Sequence, residues 1–253
     1  MASTKVKAIV LGGTNVKEKD KILSLYTLEQ GKVSVSMKGV RGDKAKMKFA
    51  KEIFCFGDFI LEEGSSLPIV TSVDIIDNFY GLSQDIDKYY EACAILDVIS
   101  KLGGESSPSL FIELIKSLKT LCYENVNKYF VFNKFLINYF KIMGYDFFTD
   151  KCSSCKATLS HRYLNLEVGE QVCPACKNSL SVAISENCYL ALNALNKSDY
   201  ENLSSLQIVE GGEMSACGLL AKNYEWRTGN KILDMKWVIW EQIVLLMIKF
   251  NKL

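Results

Sequence analysis

Imidazole is nearly absent from this chain: His161 is the single histidine in 253 residues. General acid–base work would therefore fall on carboxylates, and no Asp/Glu pair stands out for it. There is no G-x-x-x-x-G-K-[ST] run, which excludes a P-loop ATPase. G-x-S-x-G and H-E-x-x-H are missing too, and Gly12-Gly13 lacks the rest of a dinucleotide fingerprint. Long apolar runs are also lacking. The best stretch, 237–248, is broken by Glu241 and Gln242, so no membrane partner is expected. Met1-Ala2-Ser3-Thr4-Lys5 has no apolar segment of the secretory type, so we expect a cytoplasmic protein with reduced thiols. Arginine is scarce as well: Arg41, Arg162 and Arg227 are three of thirty basic residues. Lysine is a point charge that suits phosphate and reads bases poorly, so any nucleic-acid binding should be independent of sequence. A general preference for lysine would give the same composition.

What is present begins with cysteine. Cys152-Ser153-Ser154-Cys155 and Cys173-Pro174-Ala175-Cys176 form two C-x-x-C pairs. Each fits a tight turn that aims two thiolates at one ion, and two such knuckles close a tetrahedral, structural Zn²⁺ site. Iron also accepts four thiolates. A redox C-x-x-C needs only one pair. His161 lies between the knuckles, but four sulfurs already complete the shell. The other five cysteines (Cys55, Cys93, Cys122, Cys188 and Cys217) read mostly as small core residues.

Charge is unevenly spread. Residues 1–51 hold twelve basic and four acidic side chains, net +8, and the remainder holds eighteen and twenty-five, net −7. A basic end on an acidic body predicts an anionic partner for the first segment. At 49% apolar the chain can build a sizeable core.

The first 80 residues have strand character. Apolar residues fill 6–11, where Gly12-Gly13 should end a strand. Positions 21–28 are β-competent, and 33–38 alternate Val33, Val35, Met37 with Ser34, Ser36, Lys38. Positions 53–61, with Gly57 as a bulge, and 68–77 complete five short strands, which fits a barrel of the OB type. From Gln84 the period becomes helical. Helices are expected from there to Gly103-Gly104, from Ser107-Pro108 to about 122, and over 128–143, 187–195, 214–224 and 236–250. The expected architecture is α+β: a nucleic-acid-binding barrel over 1–80, then a helical domain over 81–253 with a four-cysteine zinc knuckle pair inserted at 150–178.

The barrel segment carries Glu18-Lys19-Asp20-Lys21-Ile22-Leu23-Ser24-Leu25-Tyr26-Thr27, then Gly31-Lys32 and Lys38-Gly39-Val40-Arg41. With helices and a C-x-x-C pair downstream, this order resembles the bacterial RecO family of recombination mediators over essentially the whole chain. That family's pattern is E-x-D-x-L-L-x-L-x-T, then G-K, then A-[RK]-G-[AV]-R. Met37 stands in place of the small residue, and Glu52-Ile53-Phe54 in place of a later Q-P-F. The resemblance implies a protein that is not an enzyme and acts in recombinational DNA repair without nucleotide. Such proteins bind single- and double-stranded DNA and anneal complementary strands. They work with RecR, and with RecF, to load RecA on strands coated by SSB. Nucleoid association follows from the same resemblance.

The residues that would contact DNA are Lys32, Lys38, Arg41, Lys44, Lys46 and Lys48. Tyr26, Phe54 and Phe56 could stack on bases but fit a core better. The acidic, apolar tail of SSB needs a groove with a cation, for which Trp226, Arg227 and Lys231 are candidates; the plain alternative packs Trp226 inside and leaves Arg227 solvated. Two rivals remain open. One is an enzyme, such as a deacylase or nucleotidyl transferase, in which zinc is only a scaffold. The other is a zinc-ribbon RNA-binding or transcription protein, whose positive charge should cluster at the knuckles.

Overall fold

The computed structural model describes residues 3–16, 18–42, 47–102, 106–146 and 148–232. The chain divides into two compact units, 1–122 and 123–253. The change from strand to helix near residue 80 therefore falls inside the first unit. The helix expected over 236–250 and the Gly103-Gly104 stop lie outside the described residues. Among the described residues no helix is long and apolar enough to cross a membrane.

The first unit is built on five strands: β1 (Ser3–Val16), β2 (Asp20–Thr27), β3 (Gly31–Met37), β4 (Phe56–Glu62) and β5 (Ile69–Asp77). They close into a barrel in the order β1-β2-β3-β5-β4. The ladders are antiparallel except β3–β5, which meet in parallel through Ser36 and Ile69. Closure depends on β1 serving two neighbours: Ser3–Ile9 pairs with β4 and Ala8–Val16 with β2. The sequence suggested that Gly12-Gly13 would end this strand. Instead the ladder shifts register between Val10 and Gly12 and runs on to Val16. Glycine is needed there because a Cβ on Gly13 would sit 2.7 Å from the Ile22 carbonyl oxygen. A bulge of this kind bends one strand between two partners. Gly57 occupies a second register shift, on β4 against β5, as its position suggested.

Alternate residues fill the barrel: Val6, Ala8 and Val10, Leu23 and Leu25, Val35 and Met37, Phe59 and Leu61 are all buried. The opposite face carries Ile9, Tyr26 and Phe56, which are also buried. Helix α2 (Pro108–Tyr123) covers part of that face, with Phe111 6.0 Å from the Tyr26 ring and 6.1 Å from that of Phe56. Helix α1 (Ile86–Ser100) opens on Asp85, whose carboxylate accepts from the Asp87 and Lys88 amides. Strand β4 begins at Phe56 rather than at 53 because Phe54 lies in the left-handed region at φ 71°. Its amide donates to the Val10 carbonyl at 3.0 Å, and its ring meets Tyr89 edge-on at 5.6 Å.

The second unit holds α3 (Lys128–Ile142), α4 (Glu186–Lys197) and α5 (Gly212–Thr228). Its three-stranded sheet runs β7 (Glu170–Val172), β6 (Arg162–Asn165), β8 (Ser181–Ile184). Helix α3 is buried on nearly every side, Phe130, Phe132, Phe135 and Phe140 included, as its aromatic residues on several faces required. The small sheet was not foreseen: strands of three and four residues are too short to show a period.

On the barrel exterior Asp58 accepts from Lys5 at 2.8 Å and Lys7 at 2.7 Å, which hold its carboxyl below the ordinary carboxylate value. A lowered folded-state value stabilises the fold above the unfolded value, and that contribution disappears as pH falls through the folded one. Asp58→Asn should therefore lower the melting temperature of the protein slightly at pH 7. The gap to wild type should close below about pH 4, where the unfolded carboxylate takes up its proton. Melts at both pH values check this.

Candidate metal centre and nucleic-acid interface

The two C-x-x-C turns meet at the end of the β6–β7 hairpin. Cys152, Cys155, Cys173 and Cys176 place all four sulfurs within 4.8 Å of one another. The Sγ atoms of Cys155 and Cys173 are 3.7 Å apart. Four sulfurs around a tetrahedral ion with bonds near 2.3 Å should be spaced by about 3.8 Å, so the cluster has the size of a metal shell. The backbone enforces it. The Cys152 amide donates to the Ala157 carbonyl at 2.8 Å, and the Lys156 amide to the Cys152 carbonyl at 2.9 Å. Lys156 adopts φ 61°, which turns the first knuckle. The second closes through the Cys176 amide on the Cys173 carbonyl at 3.1 Å.

The electrostatics favour a cation. Hydrogen bonds from the Cys155 backbone, and then those of Cys173 and Ser154, bring the Cys152 thiol down to about 6. Hydrogen bonding with Cys155 and Cys173 pushes the Cys176 thiol up to about 12. Four thiols this close oppose one another's ionisation, and a divalent ion removes the conflict. His161 is exposed and outside the cluster. Leu159 and Val172 give the knuckles a small core of their own. Arg162 ties that core to its surroundings: it donates to the Thr149 carbonyl at 2.7 Å and to Gln171 at 3.0 Å, and stacks 3.9 Å from the Tyr189 ring.

The expected DNA contacts are not all brought together. Lys44 and Lys46 lie outside the described residues. Lys32 sits at the start of β3 and Lys38 just beyond its end, six residues on, which is about 20 Å of strand. The Lys32 ammonium donates to the Ser100 carbonyl at 2.6 Å, at the C-terminal end of α1, where a cation suits the helix dipole. The structure thus separates Lys32 from Lys38. The other described cations do converge. The Arg41 amide donates to the Lys19 carbonyl at 3.1 Å, and the Gly39 amide to Asp20 at 2.9 Å. The Lys21 ammonium reaches the Lys51 carbonyl at 3.1 Å. The β1–β2 turn and the β3–β4 loop therefore meet at one rim, which gathers Lys19, Lys21, Lys38, Arg41, Lys48 and Lys51. Lys19, Lys21 and Lys51 were not singled out in the sequence. Strand pairing of 21 with 37 is the signal that would have found them. Tyr26, Phe54 and Phe56 are buried.

In the second unit Trp226 is 48% exposed, whereas Arg227 lies over the Tyr145 ring at 4.1 Å and against Gly169. The packed-Trp, solvated-Arg arrangement is therefore reversed. Lys231 is exposed, with its ammonium 3.6 Å from Glu225.

The described residues thus combine a closed five-stranded barrel that carries a lysine-rich rim with a four-thiol module. The sequence matches the family described as Recombination protein O N terminal over residues 1–79 and that of Recombination protein O C terminal over 83–235. It is 31% identical to the DNA repair protein RecO of Clostridium novyi over 207 residues, 81% of each chain. It is 27% identical to the DNA repair protein RecO of Clostridium acetobutylicum over 232 residues, 88% of this chain and 94% of that one. The chain belongs to the RecO family, and its role lies in recombinational DNA repair.

Replacing one ligand should empty the centre. Cys155→Ser is expected to take the metal content of the purified protein from about one ion per chain to well below one. Structural zinc in small modules carries about 10–16 kcal/mol of apparent binding energy, so the variant should also unfold at a clearly lower temperature. Elemental analysis alongside a thermal melt checks both.

Proposed function

We propose that this protein is a non-enzymatic mediator that binds single- and double-stranded DNA on the barrel rim, anneals complementary strands and helps load RecA on SSB-coated strands. The observation that carries the reading is the convergence of Lys19, Lys21, Lys38, Arg41, Lys48 and Lys51 at one end of a closed five-stranded barrel. We read that barrel, about 1–80, as an OB fold, a class that takes up nucleic acid along one side with backbone-directed charge. Five of the six cations are lysines, which favours phosphate contact over base reading. Lys44 and Lys46 belong to the same loop in sequence and join this proposal.

The four-thiol centre, in this reading, holds zinc through Cys152, Cys155, Cys173 and Cys176 and has a structural role. Arg162 beside it is engaged by Thr149, Gln171 and Tyr189, and the exposed Lys151, Lys156 and Lys177 are fewer than the cations at the barrel rim, which favours the rim over the knuckles as the nucleic-acid surface. The remainder of the chain, 81–253, would carry protein contacts: RecR, RecF and the acidic SSB tail. For that tail the half-exposed Trp226 offers an apolar anchor and the exposed Lys231 a cation, with Arg227 held behind them on the Tyr145 ring. The working compartment would be the cytoplasm, at the nucleoid.

Strand annealing measured without ATP, with and without SSB, tests the whole reading. Acceleration of annealing in the absence of nucleotide is expected, and none at all would defeat it. On the DNA side, alanine at Lys38, Arg41 and Lys48 together should weaken binding alike for unrelated sequences. Each lost phosphate contact on a single strand should reduce the slope of log K against log salt by about 0.7, so the triple variant by about 2. Titrations at several salt concentrations read this directly.

A further inference from the structure

We infer that Phe49 is a base-stacking platform for single-stranded nucleic acid, set beside the cationic rim; this rests on the DNA-binding reading above and adds the contact that tells unpaired strands from duplex. The first 79 residues contain six aromatic side chains. Five of them, Tyr26, Phe54, Phe56, Phe59 and Phe79, are buried, and Phe49 is 60% exposed. Its exposure is enforced. Met47 packs against the barrel core and Ala50 lies within it. The Ala50 amide closes the turn on the Met47 carbonyl at 3.0 Å, and the Glu52 amide bonds the Phe49 carbonyl at 3.3 Å. Anchoring 47 and 50 inward leaves the side chain between them no route into the core.

Charge lies beside the ring. The Lys48 ammonium is 5.0 Å from its centroid, and two residues on the Lys51 backbone carbonyl accepts from the Lys21 ammonium, which brings that cation to the same loop. An exposed phenylalanine among lysines has the chemistry single-strand binders use: cations hold phosphates while a ring takes a base, whatever its identity. In duplex DNA the base faces are already stacked, so the ring has nothing to take there.

The test compares wild type, Phe49→Ala and Phe49→Trp on three probes of equal length: a dT20 strand, a fully abasic 20-mer and a 20-base-pair duplex. Phe49 is exposed, so equal melting temperatures are expected. Phe49→Ala should weaken dT20 binding by about 5- to 100-fold, the range found for removing one stacked base. Its affinity for the abasic strand and the duplex, and its salt slope, should not change. Phe49→Trp should keep the affinity, and its fluorescence should be quenched by dT20. Unchanged dT20 affinity in Phe49→Ala, or an equal loss on all three probes, would overturn the inference alone. Wild type without affinity for any probe would overturn the DNA-binding reading, and this inference with it.

Discussion

Everything in the first unit follows from β1 having two partners. A strand that pairs along one half with β4 and along the other with β2 must bend between them, and the register shift at Val10 and Gly12 is where it does. Val10 itself is held at that point by Phe54 and Cys55, whose amide and carbonyl bracket it. Closure leaves the sheet no long free edge. It also fixes which connections emerge together. Because β2 and β3 pair from Lys21–Met37 to Thr27–Gly31, the turn before β2 and the loop after β3 share one end. The rim of cations is a consequence of that register.

The second unit relies on a different constraint. Its knuckle segment has a core of only a few side chains, Leu159, Val172 and the cysteines themselves, with Tyr163 partly buried against them. A hydrophobic cluster of that size cannot by itself offset the entropy of ordering some thirty residues. An ion held by the four thiols, as proposed above, would supply what the apolar contacts do not. The helices beside it need no such aid, since α3 alone buries four phenylalanines.

How much of this was legible depends on whether a signal was periodic. The alternation over 33–37 and the aromatic helix over 128–142 were readable because burial repeats at 2 and about 3.6 residues. The C-x-x-C pairs were readable because metal geometry fixes spacing. The placing of Lys32 was not legible because a run of charges in sequence is not a face in space: a strand carries its ends apart, and this lysine donates to the Ser100 carbonyl at the end of α1. The sheet β6–β8 was invisible for want of length. Gly12-Gly13 looked like a stop because glycine marks both turns and bulges, and only the partner carbonyl of Ile22 decides between them.

The scarcity of arginine proves more informative than the charge sum. Two of the three arginines do structural work on tyrosine faces, Arg162 on Tyr189 and Arg227 on Tyr145. A planar guanidinium can stack while donating in its own plane, and an ammonium cannot. In a chain that uses lysine nearly everywhere else, Arg162 and Arg227 therefore mark packed positions, while Arg41 is exposed at the rim. Lysine takes most of the solvated positions, the rest of the rim among them. Flexible point charges follow a phosphate chain without fixing its sequence, and net charge over the whole molecule is irrelevant beyond a Debye length of about 8 Å. The +1 net charge of the protein thus says nothing about the rim, where strand register sets the local placement of the cations.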